Sequence, residues 1–186
     1  MPAGNGIDAL DVRALATEEE AQWCARLMST NKPWTTLGRG YEEALERMRD
    51  SSRERYVARV GGALAGFLVL NLRGAFVGYI QTVCVAPEYR DRGIGTKLIE
   101  FAERRIFPEF PNVFICVSSF NYQARKLYEQ LGYKMVGALM DYIVRGHSEL
   151  LLRKTTGPFA EFRKEAADRT VPVAAGGREI GGETPR

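Results

Sequence analysis

The run Val83-Cys-Val-Ala-Pro-Glu-Tyr-Arg-Asp-Arg-Gly-Ile-Gly-Thr-Lys-Leu98 holds the residues of this chain best suited to grip an anion. It reads as a β-branched strand, a short turn, and a glycine-spaced loop that opens straight into an amphipathic helix. The first amides of a helix lack intrahelical acceptors, and the helix end carries about half a unit of positive charge, so phosphate oxygens suit both. Gly93 and Gly95 let a ligand approach the backbone, and Arg90, Arg92 and Lys97 add positive charge around it. Two common phosphate loops do not fit. A Walker A loop needs G-x-x-x-x-G-K-[ST], but Thr96 and Lys97 follow Gly95 without the upstream glycine, and a dinucleotide fingerprint needs a third glycine where Leu98 stands. On residue types alone, two solvated arginines and a turn glycine at Gly93 are the competing reading.

The elements around this loop follow from periodicity and caps. Leu10 to Leu15 predicts a strand, and Thr17 with Glu20 a capping box for a helix running to about Ser29. Asn31 to Gly38 is a connector, and Tyr41, Ala44, Leu45 and Met48 mark one face of a second helix. Three strands are expected at Arg55 to Val60, Leu64 to Leu72 and Phe76 to Val85, joined by turns at Gly61-Gly62 and Arg73-Gly74. The helix from Gly93 to about Arg105 should bury Ile94, Leu98, Phe101, Ala102 and Ile106. A strand at Asn112 to Ser118 comes next, then a helix from Asn121 to Gln130 with Ala124, Leu127, Tyr128 and Leu131 on one face, closed by Gly132. Tyr133 to Leu139 and Ser148 to Lys154 complete the strands. Residues 156–186 form a Gly/Pro-rich extension, in which Phe159, Phe162 and Ala166 predict a short helix and Ala174 onward a disordered tail.

Size and composition bound the class. The chain has 186 residues, 45% of them apolar and 26% charged, enough for one soluble domain over residues 1–155. A net charge of +3, without a basic run interleaved with aromatics, suits a small anionic ligand and argues against nucleic acid. Cys24, Cys84 and Cys116 are widely spaced and read as small buried hydrophobes; with His147 the one histidine, no metal site is expected. No basic stretch followed by an apolar run opens the sequence and no window is long enough to span a bilayer, so the expected setting is the cytoplasm, away from membranes.

Arg90-Asp-Arg-Gly-Ile-Gly95 matches the R/Q-x-x-G-x-G/A signature, and Asn121-Tyr-Gln-Ala-Arg-Lys-Leu-Tyr-Glu-Gln-Leu-Gly-Tyr133 matches N-x-x-A-x-x-x-Y-x-x-x-G-F/Y. With both blocks in place, the chain resembles the GCN5-related N-acetyltransferase (GNAT) superfamily over Leu10 to Lys154. The Leu127 to Tyr133 run also resembles the ribosomal-protein alanine N-acetyltransferases, although much of the superfamily shares it. The resemblance implies an α/β (α+β) fold: a mixed, mostly antiparallel sheet of about seven strands, splayed between strands 4 and 5 and flanked by about four helices.

It also implies acetyl-coenzyme A as cosubstrate, without a metal. The pyrophosphate would lie on the amides of Arg90, Asp91, Arg92, Gly93, Ile94, Gly95, Thr96 and Lys97; Val83 and Val85 would offer backbone groups to the pantetheine arm, which Asn121 would also contact. Acetyl transfer would be direct, from thioester to a primary amine of a peptide or small molecule. The Val85 amide would polarise the carbonyl, and Tyr128 would protonate the departing thiolate. As residues alone, Asn121 is also a helix cap and Tyr128 a core aromatic.

The base is harder to place. Gln81, Tyr79 and Cys116 lie on the central strands and none is a convincing base, whereas Asp141, Glu149, His147 and Tyr142 lie near the last strands; Asp141 is the residue expected in the role. An α-amine with a pKa near 8 is about a tenth neutral at pH 7, against less than about one part in a thousand for a lysine, which favours an α-amine acceptor at a weakly basic site. Trp34, Tyr41 and Tyr142 are expected to line the acceptor cleft. A homodimer is compatible with the resemblance. The alternatives are a non-catalytic acyl-coenzyme A sensor and, as a third class, a nucleotide-phosphate binder.

Overall fold

A computed structural model describes residues 10–163; Ala166 and the expected tail lie outside them. The strands are β1 (Leu10–Ala14), β2 (Glu54–Val60), β3 (Ala63–Asn71), β4 (Tyr79–Val85), β5 (Asn112–Ser118), β6 (Lys134–Met140) and β7 (Ser148–Thr155). The helices are α1 (Glu18–Thr30), α2 (Tyr41–Arg49), α3 (Ile94–Ile106) and α4 (Tyr122–Gln130), with a 3-10 turn at Pro87–Tyr89 and a helical turn at 159–163. The seven strands form one sheet in the order β1-β2-β3-β4-β5-β7-β6, antiparallel except for β4 with β5. This is the mixed, splayed sheet expected. None of the described helices is long and apolar enough to cross a membrane.

Local chemistry sets the element ends. Thr17 caps α1 by accepting the Glu20 N–H at 3.3 Å, while the Glu20 carboxylate reaches back to the Ala16 amide and pairs with Arg13. Gly61 and Gly62 both have positive φ, as the two-residue hairpin between β2 and β3 requires.

The sheet opens because of one extra residue. The β3–β4 register shifts between Val69↔Thr82 and Leu70↔Ile80, which leaves Gln81 unpaired as a bulge. The bulge flips the faces of β4: Ile80 packs with α3 and α4, whereas Cys84 packs with α1 and α2. At its start β4 is held tightly to β5, since a Cβ on Gly78 would lie 2.4 Å from the Asn112 carbonyl and the Phe114 N–H donates to Gly78 at 3.0 Å. Parallel pairing covers only Tyr79↔Phe114 and Ile80↔Ile115. Beyond Gln81 the two strands part into a V.

Two apolar cores lie on opposite faces of the sheet. One joins α3 and α4 to the sheet through Leu98, Ile99, Ile106 and Tyr128; the other joins α1 and α2 through Cys24, Met28, Met48 and Phe67. Three expectations need correction. The third strand begins at Tyr79, because positive-φ Gly74 and Gly78 turn the chain and leave Phe76 exposed against Phe114. In α3 Ile99 is fully buried, whereas Phe101 is half-buried and packs edge-on against Tyr56. The sixth strand starts at Lys134 because Tyr133 is buried at the end of the preceding turn.

Candidate active site

The glycine loop delivers α3 with an open N-terminus. Gly93 adopts φ 76° and caps the helix without a side-chain acceptor, and the first intrahelical bond from the Gly93 carbonyl is to Lys97 N–H at 3.1 Å. The amides ahead of Lys97 in the first turn are therefore left to an external acceptor. Arg90 is anchored beside them, its Nε donating to the Val85 carbonyl at 3.2 Å and a terminal nitrogen to Asn31 Oδ1 at 3.0 Å. Arg92 stacks over Tyr89 with 5.6 Å to the ring centre, and Lys97 pairs with Glu100 at 2.8 Å. Asp91 is exposed in the left-handed region at φ 58°.

The V between β4 and β5 holds two cavities. The outer one, about 500 Å³, runs from Arg90 and Gly95 past Val83, Val85, Phe120 and Leu127. The inner one, about 290 Å³, lies between the α1–α2 connector and β5, walled by Tyr79, Cys116, Ser118 and Glu149. They meet at Val83, Asn121, Ala124 and Tyr128, which line both. Ala86 N–H donates to Ala65 on β3 at 2.9 Å, so strand alternation turns the Val83 and Val85 amides toward the cleft. Asn121 caps α4 through Oδ1, accepting Ala124 N–H at 3.3 Å, which leaves its amide nitrogen to donate elsewhere.

A sequence model of the acetyltransferase (GNAT) family matches residues 15–133. The chain belongs to that family. Among curated relatives of this GNAT acetyltransferase, the N-alpha-acetyltransferase RimI of Mycobacterium tuberculosis is 31% identical over 150 residues, 76% of this chain and 90% of that protein. An N-alpha-acetyltransferase of Saccharolobus solfataricus is 24% identical over 123 residues, 59% of this chain and 74% of its own length. In structure, the spermidine N-acetyltransferase of Vibrio cholerae, solved with CoA and spermine, aligns with a TM-score of 0.64 at 19% identity, covering 82% of this chain and 98% of that one.

Within this GNAT chain, Tyr128 stands where the two cavities join, and burial pushes its phenol up so that it keeps its proton. Glu149 is 6% exposed and accepts the Ser118 hydroxyl at 2.6 Å, directly across the β5–β7 register. Burial pushes the Glu149 carboxyl above the ordinary carboxylate range, while the Ser118 hydrogen bond and the Arg39 charge pull partly against it. A carboxylate so placed holds a proton more readily than an exposed one.

Asp141, expected as the base, stands elsewhere. It adopts φ 50° in the β6–β7 turn, is exposed, and accepts the Gly146 N–H at 2.6 Å. Its short polar side chain suits that left-handed turn, and it does not line the inner cavity. His147 packs edge-on against Phe120. Trp34 and Tyr142 do line the inner cavity, whereas Tyr41 packs into the α1–α2 core. Sequence reasoning missed Arg39, Arg47 and Ser118, which also line the inner cavity. Ser118 had one readable signal: it ends the strand expected at Asn112 to Ser118. Cys24 and Cys84 are buried, while Cys116 lines the inner cavity beside Tyr79.

Proposed function

We propose that this GNAT acetyltransferase moves an acetyl group from acetyl-coenzyme A directly to the α-amine of a peptide or small molecule, with Glu149 as base and Tyr128 as acid. The observation that carries it is placement: Glu149 walls the inner cavity, Tyr128 sits where that cavity opens into the outer cleft, and the open α3 terminus ends the cleft. The outer cleft fits coenzyme A. The α3 amides and Arg90 would take its pyrophosphate, and Asn121 with the Val83 and Val85 amides its pantetheine arm. Bound there, acetyl-coenzyme A supplies an activated thioester.

The acceptor enters the inner cavity as an amine that must lose a proton. Glu149 takes that proton, directly or through a water, and its raised pKa makes it a better base than an exposed carboxylate. The Val85 amide is the donor aimed at the carbonyl oxygen, and the Tyr128 hydroxyl gives its proton to the thiolate. A carboxylate base deprotonates an α-amine far more readily than a lysine. The names of the relatives that act on N-alpha groups agree. A binding-only role was attractive only while no base was in view, and Glu149 removes that motive.

The test is thiol release from acetyl-coenzyme A across α-amino peptides, lysine peptides with blocked N-termini, polyamines and aminoglycosides. Free N-termini should support turnover at least about tenfold better than blocked lysine peptides. Preference for lysine or polyamines would overturn the acceptor assignment, and coenzyme A binding without turnover on any amine would overturn the chemistry.

A further inference from the structure

The inner cavity carries more positive than negative charge. Arg39, from the α1–α2 connector, and Arg47, on α2, line it together with the single carboxylate of Glu149. Outside the cavity one carboxylate serves both arginines: Glu43 pairs with Arg39 and meets Arg47 at 3.5 Å, and it is itself 42% exposed. Arg47 is only 18% exposed at its side chain, and its Nε is buried without a hydrogen-bond partner among the described residues. Burial lowers the Arg47 pKa, and Arg39 and Arg53 lower it further, so the guanidinium is crowded by its own charge. Arg53 is satisfied by Asp50 at 2.6 Å and by Gln81, whereas Arg47 has only the shared Glu43 at 3.5 Å. A largely buried guanidinium with an unpartnered Nε and one shared, distant counterion is set to receive a planar anion.

We infer that the acceptor bears a carboxylate close to its amine, read by Arg47 and Arg39, and that for a peptide this is an Asp or Glu side chain within its first two residues. The inference rests on the acceptor reading above and narrows it. Glu149 and Tyr128 come from β7 and α4 beside the β4–β5 divide, while the two arginines come from the connector and α2. An acceptor spanning the cavity therefore presents its amine to one side and its anion to the other. Polycationic amines are disfavoured, because they would bring positive charge against two guanidiniums.

The experiment compares kcat/KM for peptides beginning Ala-Glu, Glu-Ala, Ala-Gln, Gln-Ala and Ala-Lys, with free glutamate and aspartate as a separate arm. An acidic peptide should exceed its amide-matched partner by at least about tenfold, the scale of one hydrogen bond to a charged group, and Ala-Lys should be the poorest. Arg47→Met and, separately, Arg39→Gln should collapse that ratio toward one. Arg39→Gln changes a connector residue, so it keeps the test decisive if Arg47→Met fails to fold. Calorimetric binding of the acetylated product peptides to the coenzyme A complex gives the same comparison without turnover. Equal rates and equal product binding for acidic and amide peptides overturn the inference while leaving the α-amine reading intact. Turnover of free acidic amino acids alone upholds the carboxylate requirement and overturns the peptide acceptor.

Discussion

The roles proposed for Tyr128 and Glu149 rest on surroundings that the residue types alone do not reveal. Tyr128 is buried and keeps its proton, so Tyr128→Phe should lower kcat at least about tenfold with little change in KM for acetyl-coenzyme A, measured by thiol release. Asp141→Asn should alter kcat/KM by less than about twofold, because its carboxylate holds a turn outside the cavity. Tyr128 was legible because it belongs to a sequence block. Glu149 was less so: Glu149 and Asp141 are close in sequence and alike in type, and only the Ser118↔Glu149 register turns one of them inward. Arg39 and Arg47 carried no motif at all. Arg39 reaches the cavity from the α1–α2 connector and Arg47 from α2, so their placement depends on tertiary packing and not on local pattern.

The element that matters most is the pairing of a bulged strand with an open helix terminus. The α3 start was readable from Gly93 and Gly95, since a left-handed cap followed by helix has a glycine signature. The splay was anticipated from the family resemblance, but its cause was not, because a bulge at Gln81 leaves no mark in β4's apolar alternation until the β3 register is known. At this scale Gly93→Ala should cost about 1 kcal/mol by forcing a side chain into the left-handed region. The displaced amides should also raise KM for acetyl-coenzyme A about tenfold, as loss of one charge-assisted hydrogen bond would. Asn121→Ser separates two duties of one residue. The hydroxyl still caps α4, so the melting temperature should hold, while loss of the amide donor weakens coenzyme A binding by calorimetry.

Across the whole molecule the two cores share one sheet, and the site lies where that sheet divides. Both tryptophans, Trp23 and Trp34, pack on the α1–α2 side, so their fluorescence reports one core while far-ultraviolet circular dichroism reports both. If residues 10–155 act as one domain, the two signals should give coincident urea transitions; a tryptophan transition preceding the other would mean that the faces unfold separately. Tyr128 comes from α4 and Glu149 from β7, both line the inner cavity, and the proposed mechanism requires that they act there together. The most direct test is the pH dependence of kcat/KM on an α-amino peptide for the native protein and Glu149→Gln. The native acid limb should lie above the ordinary carboxylate range, since burial raises the Glu149 pKa and the base works only when deprotonated. Glu149→Gln should lose at least about a hundredfold in rate and retain only the limb set by the amine itself. A Glu149→Gln protein with the native rate and the native acid limb would contradict the account.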